Sequence, residues 1–209
     1  MITAADIQRD FHYLYPAELP ALKLLVAQLP TYSLVVNIGS GAGTSGLAIM
    51  ETRRDIQLLT LDIQDSSSPL GCLEAERDVM SRAGYGPEYG IRWWQACADS
   101  STVGRDWQRH IYRHLPLDFA NSFAKQPAMV FVDGEHSYEG CKADIEAWLP
   151  VITPGGIIAV HDFLKGDLQP DPDGPHPMNW PGVDSAVQEL LIPNFEMIMH
   201  VASLVAFRK

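Results

Sequence analysis

A single stretch, "VVNIGSGAGTSGLAIM" from Val35 to Met50, limits the folds open to this chain more than any other. An apolar, β-branched run enters a turn in which Gly39, Gly41 and Gly43 alternate with small residues, and helical spacing resumes after it. Strand, bare turn and helix in immediate succession is the opening unit of a βαβ crossover, and it commits the chain to a parallel sheet. Later segments repeat the rhythm. "IQLLTLDI", "IRWWQACA", "AMVFVDG" and "GGIIAVHDF" read as buried strands, apolar throughout rather than alternating, which places helices on both faces of the sheet. "PAELPALKLLVAQLP", "TSGLAIMETRR", "LGCLEAERDVMSRAG", "RDWQRHIYRHL" and "YEGCKADIEAWLPVI" read as helices around them. Only the end differs. "FEMIMHV" and "SLVAFRK" are separated by little more than Ala202, too short a link for a crossover helix, so the two must pair as an antiparallel hairpin.

The expected architecture is therefore one α/β domain over 1–209, doubly wound around a mostly parallel seven-stranded sheet that closes with an antiparallel C-terminal hairpin. Between Lys165 and Pro181, "KGDLQPDPDGPHPMNWP" carries five prolines and almost no aliphatic residue. It follows the fifth strand at the carboxyl edge of the sheet, and with His176 and Trp180 it reads as a substrate-facing lid.

The formal charge of -11 repels phosphate backbones, and Lys and Arg form no cluster, which disfavours nucleic acid and favours a small-molecule partner. No apolar run reaches bilayer length, and the N-terminus lacks the basic and apolar regions of a secretory signal, so the expectation is a cytoplasmic protein with no membrane partner. A homo-oligomer is left open. Cys72, Cys97 and Cys141 are odd in number and widely spaced, and read as free thiols rather than a disulfide framework or zinc site.

At the turn after the first strand, glycines let a ligand approach the main chain, and the following helix N-terminus adds Thr44 and Ser45 as donors. Asp62 closes the second strand, where a carboxylate can accept both hydroxyls of a ribose. The spacing of Gly39, Gly41, Gly43 and Gly46 misses the dinucleotide fingerprint, and no Lys follows as a P-loop demands. The ligand carries a ribose but needs no pyrophosphate cradle.

With these segments the chain resembles the class I S-adenosylmethionine-dependent methyltransferases. "VVNIGSGAGTSG" is similar to their first motif, "LLTLDI" to the acidic end of their second strand, "ACADSS" to the adenine-contacting segment, and "LPVITPGGIIAVHDF" to the helix-turn-strand that follows strand four. The resemblance implies the Rossmann-like methyltransferase fold, S-adenosyl-L-methionine as cofactor, and a cofactor-binding set of Gly39, Ser40, Gly41, Thr44, Ser45, Asp62, Ile63, Asp99 and Ser100. Asn37 departs from the pattern, because the family usually has Glu or Asp there. Asp99 has an equally simple reading as a helix N-cap.

"VFVDGEHSYEG" and "IAVHDF" place Asp133 at the exit of strand four and His161 and Asp162 at the exit of strand five. Carboxylates converging at a cleft mouth need a compensating charge, which a divalent cation would supply. Asp133, His161 and Asp162 are the expected metal ligands, with magnesium or manganese the cation; oxygen ligands suit magnesium or calcium, and a histidine tilts the choice towards manganese, iron or zinc. Without metal, Asp133 would cap the following helix and His161 would bond within the cleft. The chain is also similar to the small-molecule O-methyltransferases with "DGxHxY" and "HD" segments, and more distantly to catechol O-methyltransferase. That similarity implies in-line methyl transfer to an oxygen of a sugar diol, phenol or catechol, with Asp133, His136 and His161 as catalytic residues and His136 as general base. Rival expectations are a nicotinamide-dependent oxidoreductase, a non-catalytic binding protein on the same fold, and a metal-independent methyltransferase acting on nitrogen or carbon. Acceptor recognition is expected from 165–181, the segment around Phe11 to Tyr15, and "HLPLDFANSFAKQ".

Overall fold

The computed structural model describes residues 1–11, 13–64, 73–110, 112–116, 119, 126–164 and 180–209. Seven strands form one sheet: β1 Leu34–Ile38, β2 Gln57–Asp62, β3 Trp93–Cys97, β4 Met129–Val132, β5 Ile157–Val160, β6 Glu196–Val201 and β7 Leu204–Arg208. Their spatial order is β3-β2-β1-β4-β5-β7-β6. The first five strands are parallel, and β7 runs antiparallel to both β5 and β6. The expected hairpin is present. Its turn is Ala202 and Ser203, with Ala202 in the left-handed region at φ 52°.

Seven α-helices are described: α1 Ala4–Phe11, α2 Glu18–Ala27, α3 Thr44–Thr52, α4 Leu73–Arg82, α5 Ser100–Gln108, α6 Tyr138–Trp148 and α7 Pro181–Leu190. Strand residues two apart point to the same face, so the fully apolar strands feed two cores at once. Val35, Leu58, Trp93, Met129, Phe131 and Ala159 pack under α1 to α4. Val36, Leu59, Trp94, Val130, Ile158 and Phe207 pack under α5 to α7. This is the doubly wound arrangement the sequence leads one to expect.

Three details differ from expectation. The helix read over "RDWQRHIYRHL" starts earlier, at Ser100, because the Asp99 carboxylate accepts the Thr102 amide at 2.6 Å and fixes the first turn; it ends before His110, which turns left-handed at φ 57°. Helix α1 was not read from the sequence. Nor was α7, which opens at Pro181, the position where a missing N–H costs nothing. Pro181 therefore belongs to a helix rather than to the proline-rich lid, and the rest of that segment, with His176, lies outside the described residues apart from Trp180. Cys141 is buried and Cys97 exposed, both as free thiols, while Cys72 lies outside the described residues. Among the described residues no helix is long and apolar enough to cross a membrane.

The glycine turn rests on a buried acid. Glu76 of α4 is fully buried, accepts hydrogen bonds from Thr60 Oγ1 at 3.0 Å and Gln95 Nε2 at 2.6 Å, and packs so close to α3 that a Cβ on Gly46 would stand 2.0 Å from its Oε1. Burial raises the Glu76 carboxyl from 4.5 to about 7, against the opposing hydrogen bonds from Gln95 and Thr60. The folded state thus holds this proton more tightly than the unfolded chain. Its contribution is complete below about pH 4.5 and is lost as pH rises towards 7, a change of about 3 kcal/mol at most. Denaturant unfolding at pH 5, 6.5 and 8 should show a shallower loss of stability with pH in Glu76→Gln than in the parent; parallel slopes would contradict the assignment.

Candidate active site

Strand order reverses at β1, where the chain goes one way to β2 and the other to β4, and ligands of doubly wound folds bind outside the carboxyl ends at such a point. The register delivers the site. Ile38 lies beside Leu61 and Val132, and Val132 beside Val160, so the next residues, Gly39, Asp62, Asp133 and His161, emerge together. The ladder runs on into them: Gly39 N donates to Leu61 O, Asp133 N to Ile38 O and His161 N to Val132 O, at 2.9, 3.0 and 3.0 Å.

A cleft of about 590 Å³ opens here, within the range of sites that hold a small organic ligand. Of the nine expected cofactor residues, Gly39, Gly41, Asp62, Ile63, Asp99 and Ser100 line it. Ser40, Thr44 and Ser45 are buried and do not. Ser40 acts on the site indirectly, because its amide at 2.8 Å and hydroxyl at 2.7 Å both donate to Asp62 Oδ2. Asp62 Oδ1 accepts the Gln64 amide at 2.9 Å. The carboxylate is thereby held at the cleft edge by three donors.

Gly39 and Gly41 have different physical reasons. At Gly39, φ is +86° and a Cβ would stand 2.0 Å from the Asp133 carbonyl oxygen, so the tips of β1 and β4 can approach only across a glycine. At Gly41 a Cβ would meet only Tyr13 Cδ2, at 3.9 Å, leaving open space above the turn. Thr44 Oγ1 and Asn37 Oδ1 are buried with no hydrogen-bond partner among the described residues, and the Asn37 amide donates to Gly39 O at 3.1 Å. Open space over a bare turn and an oriented carboxylate together fit a ribose-bearing ligand.

Asp99 does both things the sequence allowed: it caps α5 and lines the cleft. Burial opposes its charge, but hydrogen bonds from Thr102 and Ser101 prevail and hold its pKa below 3.8. Ser100 Oγ donates to Asp144, a buried carboxyl on α6 that burial pushes up to about 6. Asp144, Glu135 and Glu139 complete an acidic lining that the sequence reading did not single out. The signal for them is only the acidic bias of "DGEHSYEGCKADIE", which reads equally as a solvated helix face.

At the cleft mouth Asp162 takes the left-handed conformation at φ 64°, tolerable for Asp and aiming its carboxylate back across the site. Its Oδ2 meets His136 Nε2 at 2.9 Å, and that nitrogen stands 3.8 Å from Asp133 Oδ1. Burial opposes charge on His136, yet the hydrogen bonds and charges of Asp133 and Asp162 win and raise its pKa to about 9. Ligand atoms of Asp133, His136 and Asp162 all lie within 4.8 Å of one another, a mixed oxygen and nitrogen set able to hold a divalent cation. His161, expected among the ligands, sits deeper. Its Nδ1 meets Asp133 Oδ1 at 3.1 Å and its Nε2 meets Glu18 Oε2 at 2.9 Å, so both ring nitrogens are engaged by carboxylates. Burial disfavours its charge, and the carboxylates of Asp133, Glu18 and Asp162 overcome this to hold its pKa well above 6.5. Burial likewise opposes ionisation of Asp133, but the charge of His161 and hydrogen bonds from His136 and His161 keep its pKa below 3.8. Trp180 stacks on the His136 ring at 4.4 Å and 20°, a favourable partner for a charged imidazole. The approach of α7 that places it depends on Gly182, where a Cβ would stand 2.4 Å from Tyr138 N. Tyr138 itself bonds away from the cleft, donating to Glu189 Oε2 at 2.5 Å.

A parallel sheet with a cleft at its switch point and an anchored carboxylate at the tip of β2 is the architecture of nucleoside-binding α/β domains. The chain belongs to the methyltransferase domain family, which matches residues 36–163, more than half its length, and is an S-adenosylmethionine-dependent methyltransferase. Its fold is similar to that of the O-methyltransferase TomG from Streptomyces achromogenes, involved in tomaymycin synthesis and solved in complex with S-adenosylmethionine, at a TM-score of 0.61 and 18% identity over 99% of this chain and 87% of that one. An O-methyltransferase from Bacillus cereus, solved with S-adenosylhomocysteine, gives 0.61 and 17% over 99% and 87%. CalS11, a TDP-rhamnose 3'-O-methyltransferase of calicheamicin biosynthesis, gives 0.58 and 18% over 91% and 76%. No curated protein sequence matches the chain.

Proposed function

We propose that the chain transfers a methyl group to a hydroxyl oxygen of a small molecule bearing two adjacent oxygens, a sugar diol or a phenol or catechol, assisted by a divalent cation on Asp133, His136 and Asp162. The observation that carries this reading is the convergence of His136 and Asp162 on Asp133, which packs against Gly39 and lines the same cleft as Asp62. The O-methyltransferase activity of TomG and CalS11 supports the choice of oxygen.

S-adenosylmethionine supplies a methyl already activated by the positive charge on its sulfur, and the cation, when held, would polarise the acceptor's oxygens. What this chain's residues contribute is alignment and desolvation, worth several kcal/mol. Asp62 accepts the ribose hydroxyls, the bare turn at Gly41 admits the sulfonium end, and Asp99 with Ser100 bounds the adenine side. Carboxylates of Asp62, Asp99, Glu135 and Glu139 around the cleft favour a cationic donor over its neutral product. With a cation held, His136 Nε2 would be a ligand and the polarised hydroxyl would lose its proton to water; where none is held, His136 would take the hydroxyl proton on Nε2 once it gives up its own.

That last step has a pH signature. A base must be neutral to accept a proton, so if turnover survives without a cation it should rise about tenfold per pH unit and level off only near the His136 pKa of about 9. A pH–rate profile flat from 6 to 9 would remove His136 from the role. Transfer of labelled methyl from S-adenosylmethionine to a panel of diols, phenols and amines tests the reading itself; methylation of amines alone would overturn it.

One observation favours a metal-independent variant. With His136 charged between Asp133 and Asp162, the two carboxylates are already compensated. Chelator treatment separates the variants: the cation reading predicts loss of turnover restored by manganese or magnesium, and full activity after chelation would reject it.

A further inference from the structure

Glu18 lies outside the residues matched by the family, near the start of the chain, yet it is a fully buried carboxylate with four hydrogen-bond partner atoms among the described residues. It opens α2 and is 0% exposed. Oε1 accepts the amide of Ser203 at 2.6 Å and its hydroxyl at 2.7 Å. Oε2 accepts the Tyr15 amide at 2.7 Å and meets His161 Nε2 at 2.9 Å. A carboxylate removed from water costs several kcal/mol unless it is paired and hydrogen-bonded, and here every bond it makes ties it to one further part of the chain. Those parts are the entry to α2, the tip of β5, and the β6 to β7 turn.

We propose that Glu18, with Ser203, is a positioning residue for methyl transfer: through His161 it fixes the Asp133 carboxylate at the acceptor side of the cleft. The proposal deepens the functional reading above and rests on it for its meaning. His161 is the link. One ring nitrogen is directed at Glu18 and the other at Asp133 Oδ1. Because an imidazole is rigid and planar, fixing one nitrogen fixes the direction of the other, as carboxylate partners do for ligating histidines. Ser203 Oγ is also 3.3 Å from His161 Nε2, which closes the cluster on its far side. Asp133 Oδ1 is thereby tied down, with His161 as its buried anchor. The fold supplies this geometry from three remote places, at positions 18, 161 and 203, so α2 and the terminal hairpin both hold the acceptor site although neither lines the cleft.

This arrangement separates two functions. The hydrogen bonds described for Glu18 go to Tyr15, His161 and Ser203, not to Asp62 or the glycine turn on the proposed donor side. Its loss should therefore act on turnover and on the Asp133 hydrogen bond while sparing affinity for S-adenosylmethionine.

The test uses the full chain with Glu18→Gln, Glu18→Asp and Ser203→Ala. In the amide of Glu18→Gln a donor faces His161 Nε2, and the ring loses its fixed direction. Nitrogen-15 NMR of the imidazoles should show two slowly exchanging His161 N–H signals in the parent and a displaced or broadened Nδ1–H in Glu18→Gln. Calorimetry with S-adenosylmethionine should change less than about twofold. For members of the diol and phenol panel that turn over, kcat should fall about tenfold with KM for S-adenosylmethionine unchanged, and Glu18→Asp should recover most of the loss. An unchanged Nδ1–H signal and kcat in folded Glu18→Gln overturns the proposal, as does a parallel loss of S-adenosylmethionine affinity. Should Glu18→Gln fail to fold, Ser203→Ala keeps the charge and removes one donor; it should shift the same signal and lower kcat about threefold, and no change in either overturns the proposal. The NMR comparison reads the Glu18 to Asp133 linkage in the protein alone. A parent that binds no S-adenosylmethionine would remove the methyl-transfer reading, and the signal would still decide the linkage.

Discussion

Gly39→Ala should abolish measurable S-adenosylmethionine binding and destabilise the protein by about 3 kcal/mol or more, the range of a strained left-handed residue plus overpacking. The backbone at this position is left-handed at φ +86°, and a Cβ would lie 2.0 Å from the carbonyl oxygen of Asp133, an atom that belongs to main chain and has nowhere to go. Relief requires the tips of β1 and β4 to separate. That movement opens the cleft floor and displaces Asp133 at the same time, so donor and acceptor sides fail together. Thermal unfolding and calorimetry on one preparation check both halves. The neighbouring Gly41→Ala is the control, because open space lies above it and only its φ of +48° resists substitution. It should be stable to within about 1–2 kcal/mol and weaken binding less. If Gly39→Ala binds the cofactor like the parent, the close approach of the two strand tips is not what the turn is for.

Asp162→Asn should reduce turnover by about a hundredfold while changing S-adenosylmethionine affinity by no more than about threefold. Asparagine tolerates the left-handed backbone that position 162 requires, so the substitution removes the charge and leaves the chain path intact. It removes the negative charge facing His136 Nε2 at 2.9 Å and, for a bound cation, replaces an anionic ligand with a neutral amide oxygen. Neither change reaches Asp62, which lies on the other side of the glycine turn. The split between kcat and donor affinity is the diagnostic, read by steady-state kinetics beside calorimetry. Equal losses in both would mean that Asp162 supports the whole cleft rather than the acceptor.

Much of this was legible in the sequence, and the parts that were share one property: they are written in consecutive residues. The apolar strands, the glycine turn and the two-residue hairpin link each carry their information locally, and the sheet and its reversed last strand follow from them. The positions of Asp62, Asp99, Asp133 and Asp162 were legible because they stand at or within two residues of the ends of such strands, and strand tips converge by register. What could not be read is what depends on contacts between distant segments. Glu18 sits in "PAELP" like any acidic residue at a helix start, and its pairing with His161 spans 143 positions. His161 looked like a ligand because "HD" follows a strand, whereas the structure turns its ring down towards Glu18 and leaves His136 beside the two carboxylates. Trp180 was read as part of a lid, and its stacking on His136 depends on α7, a helix whose short apolar pattern is masked by the prolines before it.

Charge compensation at the cleft mouth follows a similar logic. Three buried or half-buried carboxylates, Glu18, Asp133 and Asp162, meet two histidines whose pKa values are raised by them. The sequence argument that converging carboxylates require a cation therefore has a second solution within the chain itself, and the chelator experiment decides between the two.

The central claim is that the bare turn after β1 and the carboxylate at the tip of β2 seat the nucleoside of a methyl donor. A crystal structure with S-adenosylhomocysteine tests it most directly. The account predicts the ribose hydroxyls on the Asp62 carboxylate, the adenine between Ile63 and Ser100, and the sulfur above Gly41 facing Asp133 and His136. A ligand bound elsewhere, or a cleft at Asp62 that stays closed to saturating ligand, would contradict it.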